Sequence, residues 1–193
     1  MKFRTPFNWL PVSDQTRAFV VLFVLTIVVM VALQVLGGPL KTDAAPSGII
    51  SFELAGTLSL ARKIIESWGQ TERVYAGMNL GLDFLFIFAY ASCIGLGCVL
   101  VARSLSRRSA LIASVGVVIA WAMWLAALLD CIENYALINL LFGSPQAVFA
   151  ALAQWCAIPK FLLVGLGIAY VILGALAARA IKPRGSKQSN AIR

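Results

Sequence analysis

The stretch "LLDCIENYAL" at 128–137 sets Asp130, Glu133 and Asn134 directly after twenty residues, 110–129, that carry no charge. Carboxylates among apolar residues can exchange protons, hold a cation or pair with a buried base. Four further charged or amide residues recur in apolar surroundings. Asn79 and Asp83 open one apolar block, Lys160 opens another, and Glu53 lies in the segment between the first two blocks. That makes four carboxylates around one lysine.

Missing residue types narrow the chemistry. The chain has no His, so imidazole zinc or haem ligation and Ser–His or Cys–His catalysis are excluded. No Gly-rich phosphate loop occurs, no Cys-x-x-Cys pair occurs, and no metal site or cofactor is expected. Cys131 and Cys156 lie at comparable distances before and after the Gly143–Pro145 turn signal. A disulfide between them and a pair of free thiols both fit that spacing.

The elements that carry these groups follow from composition. The chain of 193 residues is 61% hydrophobic and 12% charged, with mean hydropathy +0.89. Its apolar residues fall in blocks of about 20, the length needed to cross hydrocarbon as a helix. The sequence predicts an all-α integral membrane protein with four spans. They cover about 18–36, 79–102, 109–130 extending to 142, and 159–180 preceded by 146–158. The first block is longer than a signal-peptide core and lacks a nearby small-x-small site, so it reads as an uncleaved span.

Lys and Arg placement orients the bundle. Eleven basic residues and one acid fall before span one, between spans two and three, and after span four. Five basic residues and seven acids fall on the opposite side. Both termini, including a basic tail at 182–193, are therefore expected in the cytoplasm, with a bacterial inner membrane as host. The net charge of +8 is an orientation and lipid-facing signal, so no nucleic-acid partner is invoked.

At 1.5 Å of rise per residue, depth can be counted from the basic anchors. Asp83 lies roughly 30 Å from Arg103, Asp130 roughly 33 Å from Arg108, and Lys160 roughly 28 Å from Arg179. The three share one level, at the outer edge of the hydrocarbon. Lys160 is expected to pair with Asp130 or Glu133. The Asn79–Asp83–Ile87–Tyr90 stripe is expected to turn Asp83 toward the same spot, with Asn79 as its amide neighbour.

Beyond that level, 131–142 and 146–158 stay apolar and need cover. A cap helix over about 49–68 is expected to supply it, burying Ile50, Leu54, Leu58, Ala61, Ile65 and Trp68 with Glu53 at the stripe's edge. The alternative places this helix on lipid headgroups. Tyr135, Trp155 and Trp68 read as an interfacial aromatic belt. Gly167 and Gly174, seven apart, mark a face for close helix approach.

The charged layer (Glu53, Asn79, Asp83, Asp130, Glu133, Asn134, Lys160) reads either as an interhelical scaffold or as a small pocket. The expected function is a non-enzymatic membrane protein that binds a lipid or small amphiphile, or serves a membrane partner as an accessory subunit. A proton- or cation-coupled carrier and an intramembrane enzyme with a carboxylate acid/base are the alternatives.

Overall fold

The computed structural model describes residues 5–143 and 146–180; the tail at 182–193 lies outside them. Among the described residues the chain is all-helical: α1 (Val12–Gly37), α2 (Ile49–Glu53), α3 (Leu58–Ser67), α4 (Gln70–Leu105), α5 (Ala110–Leu141) and α6 (Ala147–Ala180), with a 3₁₀ turn at Gly38–Leu40 after α1. Four of them, α1, α4, α5 and α6, are long and apolar enough to cross a membrane. They form a four-helix transmembrane bundle.

With 36, 32 and 34 residues, α4, α5 and α6 are each about 50 Å long, well beyond a ~30 Å hydrocarbon layer. They project together at one end. There α4 starts at Gln70, nine residues ahead of the apolar block, because the polar turn around Gln70–Arg73 is helical as well. Helix α6 runs unbroken through Pro159. Helix α4 is central, packing on α1, α5 and α6, while α5 and α6 form an antiparallel hairpin. The close-approach face of α6 is real. A Cβ on Gly167 would press on Ile94 and Met123, and one on Gly174 on Val101.

The projecting end is covered, though by two short helices in place of the single helix expected over 49–68. Gly56 adopts φ +67°, a left-handed conformation that ends a helix and that L side chains disfavour. Thr57 then starts α3, its hydroxyl accepting the Leu60 N–H at 3.3 Å. This break rephases the buried face. Ile50 and Leu54, expected inward, are largely exposed, whereas Phe52, Ala55 and Ile64 are buried. Trp68, expected in the buried stripe of the cap and also read as a belt aromatic, takes the first role and is the centre of the cap. It is 1% exposed, stacks edge-on with Phe52, and donates its indole N–H to the Leu40 carbonyl at 2.9 Å. Tyr135 and Trp155 are exposed.

Arg73 closes the end of α3 by donating to the Ile65 and Trp68 carbonyls, both at 3.1 Å. Gln154 of α6 ties the cap to the hairpin by donating to the Leu54 carbonyl at 3.0 Å. Gly56→Ala is expected to destabilise this cap by about 1–2 kcal/mol, because an L side chain resists that φ and the new Cβ meets Gln154. Hydrogen exchange in α2 and α3 reads the effect. Gly81→Ala, where a Cβ meets open space within a helix, is the control and is expected to be neutral or better.

At the opposite end the segment before α1 folds back on the bundle. Phe7 is buried against Leu96, Val99 and Ala120, and its ring fills the space beside Gly95.

Candidate functional site

Three helices and the cap bring the charged layer together. Lys160 of α6 is 6% exposed, and its Nζ lies 2.8 Å from Asp130 Oδ1 and 2.7 Å from Glu133 Oε2, both on α5. The Asp130 contact is a hydrogen bond. The Glu133 contact is an ion pair, and neither buried oxygen of Glu133 has a hydrogen-bond partner. Glu53, at the last turn of α2, brings Oε2 to 3.8 Å from Lys160 Nζ. That is too far for a hydrogen bond, and this buried oxygen has no hydrogen-bond partner.

A ring of hydrogen bonds widens the cluster. Tyr90 of α4 donates its hydroxyl to Asp130 Oδ2 at 2.9 Å. Asn134 donates to Asp83 Oδ2 at 2.7 Å, so the amide on Asp83 comes from α5. Asn79, expected in that role, turns the other way and donates to the Leu33 carbonyl of α1 at 2.9 Å. Tyr90 was read in the Asp83 stripe without a role. Its signal was the seven-residue spacing that sets it two turns below Asp83 on the same face. Cys131 and Cys156 are free thiols.

The cluster closes one end of a cleft. Helix α1 leans on α4 and leaves a gap toward α6, with a cavity of about 590 Å³, in the size range of small-molecule sites. Phe19, Phe23, Ile27 and Met30 of α1 form one wall, and Val164, Ile168 and Ile172 of α6 the other. Several of these are partly exposed, among them Phe23, Ile27 and Ile168, so the cleft opens sideways, toward where lipid would lie. At its capped end Glu53, Asn79, Asp83, Asp130 and Lys160 all reach the cavity, together with Lys41 and Ser47 from the segment after α1. Among the described residues, no group of three or more His, Cys, Asp or Glu is arranged to hold a metal ion.

Four buried or half-buried carboxylates around one lysine are an expensive arrangement. Desolvating each ion costs several kcal/mol, and Coulomb attraction to one base repays only part of it. Glu53, on the cap, registers this. Burial pushes its carboxyl above the ordinary value, the Asp130 charge adds to the rise, and Lys160 opposes it. A carboxyl with a raised folded-state value binds its proton more tightly when folded. Its contribution to stability is therefore present at low pH and is lost as pH rises from the ordinary value of 4.5 through the raised one. Glu53→Gln is expected to flatten that part of the pH–stability profile, as measured by thermal unfolding in mild detergent across acidic to neutral pH.

The chain matches no protein-family model, no curated protein and no solved structure.

Proposed function

We propose that the protein binds a single amphiphilic molecule, a lipid or small amphiphile, within the membrane. Its apolar part would lie in the cleft between α1 and α6, with its head group at Glu53, Asp83, Asp130 and Lys160. One observation carries this reading: an apolar, laterally open cleft ends on a semi-buried polar network that faces into it. A network serving only to fasten helices has no need to line a cavity, and an apolar cleft alone would not select a head group.

The same observation favours binding over passage. A carrier needs polar groups along its path, and the cleft walls away from the network are Phe, Ile, Met and Val side chains. The basic balance of the termini and of the 103–108 turn supports cytoplasmic termini, and with that orientation the network would lie at the outer leaflet edge.

Native mass spectrometry of the protein, extracted gently from its own membrane, tests the reading. One amphiphile retained per chain and lost on Ile168→Trp supports it. A chain that sheds all lipid as readily as its Ile168→Trp variant contradicts it.

A further inference from the structure

The network also bears on what kind of head group would fit. This step rests on the amphiphile reading above.

We propose that the head group is a protonated amine, held by N–H donation to Glu53 and Asp83. Among the described residues, the basic side chains on the cavity are Lys160 and Lys41. The ammonium of Lys160 is engaged by Asp130 at 2.8 Å, Glu133 at 2.7 Å and, more distantly, Glu53 at 3.8 Å. One N–H is hydrogen-bonded to Asp130, and the single positive charge is shared among three carboxylates. Lys41 is exposed at the rim, where water screens it. An anionic head would therefore meet Glu53, Asp83 and Asp130 with only that outnumbered buried charge to offset them.

The acceptors, by contrast, are in surplus. Glu53 borders the cavity, and Lys160, at 3.8 Å, is too far to satisfy it by a hydrogen bond. Asp83 takes one amide N–H on Oδ2, and a carboxylate has room for about four donors. Behind them Glu133 Oε1 is also unsatisfied. The cavity thus lacks one cation with N–H groups. An amine on an apolar chain supplies the charge, the donors and the tail together. A metal ion would need a tighter ligand set than the described residues form.

The probes are dodecylamine, dodecanol and dodecyl phosphate, which share one tail and differ in the head. Each is titrated into the full-length protein in nanodiscs of zwitterionic lipid, with affinity and thermal stabilisation as readouts. The amine is expected to bind about tenfold or more tighter than the alcohol, as a charge-assisted hydrogen bond to a buried carboxylate implies, with the phosphate weakest. Glu53→Gln and Asp83→Asn should each lower amine affinity by a larger factor than alcohol affinity and so shrink the preference for the amine. Retained alcohol binding shows that the variant is folded. Should either variant fail to fold, the wild-type ranking alone decides.

Alcohol or phosphate binding as well as the amine would overturn the amine assignment and leave the amphiphile reading standing. If none of the three binds, both fall.

Discussion

Lys160→Met lowers the stability of the bundle by about 3–5 kcal/mol, the usual cost of leaving buried charges without their partner. Methionine keeps most of the apolar stem of the lysine, so packing changes little. The loss comes from Asp130 and Glu133, which are 4% and 0% exposed and lose the base that both contact within 2.8 Å. Equilibrium unfolding in mixed micelles measures it. Two comparisons identify the cause. Adding Glu133→Gln to Lys160→Met should recover part of the loss, because it removes one stranded charge. Lowering the pH should do the same, because burial raises the Glu53 carboxyl and its protonation removes one charge from the cluster. Arg62→Ala, on the exposed face of α3, is expected to stay within about 0.5 kcal/mol of the parent.

Ile168→Trp and Ile27→Trp, from opposite walls of the cleft, should each weaken amphiphile binding by about tenfold or more, equivalent to ~1.4 kcal/mol. Stability should move by less than about 1 kcal/mol, because both side chains face an open space and are 44% and 39% exposed. An indole there occupies volume that the ligand's chain would use, without forcing apart any packed pair. Leu166→Trp is the control. It is also exposed on α6 but does not line the cavity, and it should bind like the parent. The retained ligand measured by native mass spectrometry separates the three. Equal loss in all three would point to a general effect of indole on lipid packing and would count against the cleft.

The depth of the charged groups was legible because helical rise converts residue counts from Arg103, Arg108 and Arg179 into height. That arithmetic set Asp130 and Lys160 at one level, and the structure joins them by a hydrogen bond. Rotation about the helix axis was harder to read. Asn79 and Asp83 are four apart on one face, yet Asn79 bonds the α1 backbone and Asp83 takes its amide from Asn134. Spacing shows that two residues share a stripe, without showing which neighbouring helix each will meet.

The cap break illustrates a signal outweighed by a stronger pattern. The pair Gly56–Thr57 is a stop followed by a start, but apolar periodicity runs on across it and suggested one helix. Trp68 carried two readings at once, because an aromatic near a span end resembles a membrane anchor even when periodicity also sets it on the buried stripe; its indole partner, the Leu40 carbonyl, decides for the stripe. The cleft itself left no mark in the sequence. It exists because α1 leans on α4 and stands off from α6, and helices uniformly apolar on all sides carry no record of which neighbour they choose.

The most direct test is an experimental structure of the protein in nanodiscs formed from its own membrane. An elongated ligand between α1 and α6, its head within about 3 Å of the Glu53 or Asp83 carboxyl, is the predicted result. Helix α1 closed against α6, with no ligand at those carboxylates, would contradict the account and leave Glu53, Asp83, Asp130, Glu133 and Lys160 as the fastening of a bundle.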